Sequence, residues 1–247
     1  AGPPRPPTGL PALKAAVAAT DAEPAEVARG LKYKLLQLSA SFDRGFGAST
    51  WSKEQVDGLV QQLEAINPTP FNTSRGIEGE ALPDGPAPLA GAWQMVWTTA
   101  PWVLNLAASP VTQQGAIYEV FDPPVVTNII DLIPRAQALL PTSAPSTLVR
   151  AEVTTRASRR PETTNRIELS FESVKLTPVE VFGAKADFLP PLSFNLPQVK
   201  GKDFLWVDPE QDASYFEVVY LDGDMLIIRP NSPGAYFVSL KVDNYDP

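Results

Sequence analysis

Leu89-Ala90-Gly91-Ala92-Trp93-Gln94-Met95-Val96-Trp97-Thr98-Thr99 is the stretch whose reading decides the fold. It reads as a β-strand opened by Gly-x-Trp. Successive strand residues point to opposite faces, so Trp93, Met95 and Trp97 share one face and Gln94, Val96 and Thr98 the other. Far along the chain, Tyr220-Leu221-Asp222-Gly223-Asp224-Met225-Leu226-Ile227-Ile228-Arg229 reads as two strands joined by an acidic glycine turn. A Gly-x-Trp strand paired with a late arginine suggests a small closed barrel, an architecture that holds apolar ligands inside.

Working outward, the period of two recurs near 91–99, 114–121, 124–132, 147–156, 164–176, 179–186, 213–221, 224–229 and 235–242. Turn chemistry separates several of these runs, at Asp122-Pro123-Pro124, Arg160-Pro161-Glu162, Leu221-Asp222-Gly223-Asp224 and Ser232-Pro233-Gly234. Eight or so antiparallel strands in one run fit a barrel better than a sandwich, because closure removes exposed edges. The domain reading is a Pro/Ala-rich arm at 1–23, a helical hairpin at 24–70, a Gly- and Pro-rich linker at 71–88 and a barrel at 89–247. The fold class is mainly β (α+β): a lipocalin-like antiparallel barrel preceded by an N-terminal helical hairpin.

In the hairpin, Val27, Leu31, Leu35 and Leu38 recur at helical spacing, and Pro24 is tolerated in a first turn. Phe42-Asp43-Arg44-Gly45-Phe46-Gly47 breaks this helix. A second helix is expected from Ser52 to Ile66, with Ser52 as N-cap, Gln55 completing a capping box and Val56, Leu59, Val60 and Leu63 as its apolar face. The chain begins at Ala1, which reads as a chain whose targeting peptide has been removed.

Composition narrows the chemistry. The 247 residues include no cysteine and no histidine and carry a formal net charge of −8. Disulfides, thiolate nucleophiles, histidine-assisted catalysis and most zinc or haem sites are excluded. An acidic chain is a poor partner for nucleic acid. Arg156, Arg159, Arg160 and Arg166 gather around one hairpin, which reads as a solvated turn. Asp222 and Asp224 suit a tight turn, and too few oxygen ligands accompany them for a calcium site. Carboxylate or tyrosine acid–base chemistry stays open at Glu217 or Tyr220.

Three connections are apolar where solvated loops should be polar: Pro101 to Ala108, Ile129 to Leu140, and Phe182 with Phe188 to Pro197. They rim a barrel mouth, dock into a membrane, meet a partner protein, or fold back as core. Trp93, Met95 and Trp97 are the candidates for the base and wall of a cavity. Trp102, Leu104, Phe188 and Phe194 are the candidates for its mouth or a membrane-facing lip. On this reading Trp97→Ala weakens lipid binding without unfolding the chain. Gly91, Trp93, Tyr220, Asp222, Asp224 and Arg229 are read as barrel-closing residues.

The order of these elements resembles the plastid lipid-associated protein family, or fibrillins. Arg29 to Ser49 and Leu63-Glu64-Ala65-Ile66-Asn67-Pro68-Thr69-Pro70 resemble its N-terminal signature, and Leu89 to Thr99 its Gly-x-Trp strand. Phe171-Glu172-Ser173-Val174-Lys175-Leu176 is similar to its middle strand, and Glu217 to Asp224 with Ile227 to Arg229 to its closing motif. Leu226 stands where the family commonly has arginine. The resemblance implies a plastid setting at thylakoids or plastoglobules, peripheral membrane contact, no cofactor and no enzymatic activity. It also implies an apolar cargo such as a prenylquinone, carotenoid or fatty acid. The alternative is a structural or assembly subunit of a photosynthetic membrane complex, with a self-filled barrel and its apolar loops buried on partner subunits.

Overall fold

The computed structural model describes residues 23–101, 103–104, 109–141, 143–160, 162–195, 214–232, 234–243 and 245. The arm at 1–22 and Trp102 lie outside the described residues.

Two helices come first, α1 (Pro24–Ser41) and α2 (Thr50–Ala65). Pro24 sits in the first turn of α1, where its missing N–H costs nothing. The buried stripe of α1 is Leu31, Leu35 and Ser39; Val27, expected on it, is exposed. The N-cap of α2 is Ser49 rather than Ser52. Its hydroxyl accepts from the Ser52 N–H at 3.2 Å, and Ser52 is buried, so the helix starts three residues earlier than the capping pattern suggested. Between the helices, Arg44 and Gly45 both take positive φ. A Cβ at Gly45 would lie 2.2 Å from the Thr98 carbonyl oxygen, so the chain passes closely over the end of the Gly-x-Trp strand only because this residue is glycine.

The strands are β1 (Gly91–Thr98), β2 (Thr112–Asp122), β3 (Val125–Pro134), β4 (Leu148–Arg159), β5 (Arg166–Val181), β6 (Ala184–Lys185), β7 (Leu192–Asn195), β8 (Ser214–Leu221), β9 (Met225–Pro230) and β10 (Phe237–Val242). The expected strands at 164–176 and 179–186 are instead the single strand β5, turned back at Phe182-Gly183 into the short β6. Antiparallel pairing runs β4-β3-β2-β1-β10-β9-β8-β5, and β4 also pairs with β5. That last ladder closes an eight-stranded barrel and leaves no open edge among the eight. Strand β5 outruns β8: residues 166–169 pair with β8, whereas residues 173–176 take β7 as neighbour.

The helical hairpin covers the outside of β1, β10, β9 and β8. Leu31, Leu35, Val56, Val60 and Leu63 pack there on Trp97, Val219, Tyr220, Met225, Ile227 and Val238. Each fully buried aliphatic side chain in this layer contributes about 1.5–3 kcal/mol relative to exposure. Two β-bulges supply the extra outward residues, one in β1 between Met95 and Trp97 and one in β8 between Val218 and Tyr220. Residues 71–88 run as successive turns across the lower end. There Ile77 is buried and the Ser74 hydroxyl donates to the Thr164 carbonyl at 3.0 Å.

Candidate functional site

The barrel interior has two levels. The lower is solid: Trp93, Phe121, Val126, Ala157, Ile167, Phe216 and Leu226 pack with Ile77 and Leu89. The Trp93 indole N–H donates to the Leu89 carbonyl at 2.9 Å, and the Lys241 ammonium stands 5.2 Å from the centre of its ring. Above this floor lies a cavity of about 440 Å³, a volume suited to a small ligand. Met95, Ile117, Ile130, Ala151, Val153, Leu169, Phe171, Ile228 and Phe237 line it, with Val103, Leu132, Val174 and Tyr215 toward the opening.

The polar groups in this apolar wall are few. Ile117, Glu119 and Phe121 alternate along β2 and so share the inward face, placing Glu119 where floor meets cavity. The register sets Glu119 opposite Trp93 on one side and Asn128 on the other. Its side chain is half-buried and lines the cavity. Loss of hydration pushes its pKa up to about 7.

The chain leaves the barrel at the same end after β1, β3, β5 and β9. The large exposed apolar side chains concentrate there. Leu139 is 87% exposed, Phe182 78%, Phe188 72% and Val111 71%, with Leu140, Leu192 and Phe194 also exposed. Of the expected apolar connections, the described residues of the first and third lie at the end at which the cavity opens, whereas only Arg135 to Leu140 of the second is a connection: Ile129 to Pro134 belongs to strand β3, where the period of two buries Ile129. Backbone bonds hold parts of this rim together: Gly183 N–H donates to the Ser146 carbonyl at 2.8 Å and Phe182 N–H to the Thr147 hydroxyl at 3.2 Å.

Of the expected base and wall residues Trp93, Met95 and Trp97, all described, Met95 alone lines the space. Trp93 belongs to the solid floor. Trp97 does not face the interior: the bulge at Val96 reverses the alternation, and its ring lies fully buried under the helices. Leu104 is half-buried beside Val103, which does line the cavity; Phe188 and Phe194 are exposed at the open end.

The expected closing residues also divide. Gly91 takes φ +122° with Lys241 packed against it, at the first rung of the β1 strand. Arg229 does not stack on Trp93. Its guanidinium lies 5.4 Å from the Tyr236 ring centre and bonds Glu64 of α2 at 2.9 Å, with Glu217 at 3.6 Å. Asp222 accepts from Lys32 of α1 at 2.7 Å, and also from the Tyr220 hydroxyl; Lys32 reaches Asp224 as well. Tyr220, Asp222, Asp224 and Arg229 thus tie the helices to the β8–β9 hairpin, while the β4–β5 and β1–β10 ladders close the barrel. Leu226, where the resemblance led to expect arginine, is buried in the floor.

A second hollow, about 570 Å³, lies outside the barrel between α1 and the β8–β9 hairpin. Its polar side is occupied by the mutually satisfied Lys32, Asp222 and Asp224, so the interior cavity is the better candidate for a ligand. The basic cluster is neutralised pair by pair: Arg156 with Glu172, Arg159 with Glu78 and Glu80, Arg160 with Glu162 and Glu168, and Arg166 with Glu217. Glu217, at which acid–base chemistry was left open, is one member of that outer network. The interior acid is Glu119, and its signal was the alternation Ile117-x-Glu119-x-Phe121.

A closed eight-stranded antiparallel barrel around an apolar cavity defines a lipocalin-like barrel protein. The chain belongs to the PAP/fibrillin family, since the PAP_fibrillin family model matches residues 29–239. No curated protein and no solved structure matches it.

Proposed function

We propose that this protein binds an apolar isoprenoid or acyl lipid inside the barrel, as a non-enzymatic lipid-associated protein of plastid membranes, at thylakoids or plastoglobules. The observation that carries this reading is the apolar cavity opening at the end where the exposed aromatic and aliphatic side chains gather. A self-filled barrel, as a purely structural subunit would have, contains no such space. Burial of cargo supplies the affinity, at about 25 cal/mol per Å² of apolar surface before ordering costs. The rim lets a lipid pass from bilayer to barrel without crossing water.

Two variants separate the cavity from the rim. Ala151→Phe with Val153→Phe fills the space, and binding of a short-tailed prenylquinone, read by quenching of tryptophan fluorescence, is expected to weaken at least about ten-fold. Unchanged affinity in a folded double variant overturns the cavity reading. Phe182→Asp with Phe188→Asp is expected to cut co-sedimentation with galactolipid vesicles by about ten-fold or more, since each buried phenylalanine contributes about 1.5–3 kcal/mol. Affinity for detergent-dispersed quinone should stay as it was. Equal vesicle binding by the rim variant excludes that end as the membrane contact.

A further inference from the structure

We propose that Glu119 and Asn128 form a head-group site at the cavity floor, which takes the uncharged oxygen-bearing end of an amphiphile entering head first, its chain trailing to the apolar rim. This rests on the cavity reading above and specifies the cargo: an alcohol, a quinone or an undissociated fatty acid rather than a bare hydrocarbon or an anion.

Three observations lead there. First, both residues face inward at one level. Glu119 lies between floor residue Phe121 and cavity residue Ile117; Asn128 lies between floor residue Val126 and cavity residue Ile130; and the register pairs the two. Second, neither side chain makes a hydrogen bond or ion pair among the described residues. A carboxyl and an amide that face one otherwise apolar space with their hydrogen-bonding capacity unused are poised for a ligand. Third, no cation among the described lining residues offsets a negative charge there. Besides Glu119, only Tyr118 and Tyr215 among the lining residues can titrate.

The neighbouring strands add no free cation to that side. Strand β1 has no charged residue. On β3, Asp131 pairs with Arg150 of β4 at 2.9 Å; on β4, Glu152 pairs with Lys175 and Arg156 with Glu172. Arg44 reaches the β2 backbone at Gly115. Lys241 of β10 is exposed at the lower end, with Trp93 between it and Glu119 by register. Burial therefore keeps Glu119 protonated up to about pH 7. A protonated carboxyl donates and accepts, as does the amide, so together they satisfy a hydroxyl or carbonyl. An ionised head would meet an apolar wall and, above neutrality, a like charge.

The test uses the full chain with four probes of one chain length: dodecane, 1-dodecanol, dodecanoic acid and dodecyl sulfate. Dodecanol is expected to bind at least about ten-fold more tightly than dodecane or dodecyl sulfate in the native protein. Glu119→Leu should lose about ten-fold for dodecanol and nothing for dodecane. Glu119→Gln, which still donates and accepts, should stay within about three-fold of native for dodecanol. Dodecanoic acid should weaken more steeply between about pH 6 and pH 8 in the native protein than in Glu119→Gln. Equal dodecanol affinity in native protein and a folded Glu119→Leu overturns the head-group site while leaving the cavity intact. Failure of all four probes to bind the native protein overturns both readings.

Discussion

Trp97→Ala lowers the unfolding free energy by about 3–5 kcal/mol and leaves the affinity of any protein that remains folded for lipid unchanged. The side chain is completely buried, but between the barrel and the helices, among Leu35, Val56, Val60, Tyr220 and Val238. Its removal opens a void in the layer that holds the hairpin on the barrel. The indole N–H has no hydrogen-bond partner in that layer. Trp97→Phe therefore gives up some contact area but also removes an orphaned donor, and it should cost much less than the alanine variant. Urea titrations of the three proteins measure this. A folded Trp97→Ala with native stability and weaker lipid binding would restore Trp97 to the cavity wall and sink the reading.

Asp222→Ala is expected to cost about 3 kcal/mol and to loosen α1 from the barrel first. The Asp222 carboxylate accepts from Lys32, from the Tyr220 hydroxyl, and from the backbone N–H groups of Asp224 at 3.1 Å and Met225 at 2.9 Å. Burial by itself would raise its pKa. The hydrogen bonds from the Asp224 backbone, Lys32 and Tyr220 outweigh burial and hold the acid well below the ordinary carboxylate range. Truncation leaves a mostly buried ammonium with Asp224 alone and a tyrosine hydroxyl with no acceptor.

The sign of the pH dependence follows from the lowered value. In the unfolded chain the group titrates near 3.8, so the folded state gains from its ionisation above that pH and loses the gain as pH falls below it. The stability gap between native protein and Asp222→Ala should be full at neutral pH and narrow steadily below about pH 4. A gap that stays constant down to about pH 2 would assign the loss to packing rather than to the charged network. Hydrogen exchange along α1 distinguishes local release from global unfolding.

Much of the fold was legible because the relevant signals are local. Gly-x-Trp at Gly91 and Trp93, the prolines and glycines of the turns, and the period of two gave a barrel and placed most strands within a few residues. Leu31, Leu35, Val56 and Leu63 carried the helical period that gave the hairpin. Errors arose where one residue was inserted into a regular pattern. Read at strict alternation, Trp97 joins Trp93 and Met95; the bulge at Val96 adds a single step and sends it to the opposite face. The same local irregularity in β8 places Val219 and Tyr220 together under the helices. Glu217 and Glu119 were equally ambiguous as isolated letters in strands, since only the partners across neighbouring strands separate a paired surface acid from an enclosed one.

By itself, then, the sequence determined the chemistry available to this protein and its architecture: no thiol, no imidazole, a helical hairpin, and strands enough to close. Those follow from residue identity and from the 3.6 and 2.0 periods, which are properties of neighbours along the chain. Tertiary structure decided which end of the barrel is solid and which is hollow. It also gathered exposed apolar side chains such as Leu139, Phe182 and Phe188 at the open end and placed one carboxyl, Glu119, at the bottom of the space. Those outcomes depend on register, bulges and closure, where a shift of one residue exchanges inside for outside and no short stretch of sequence records the choice.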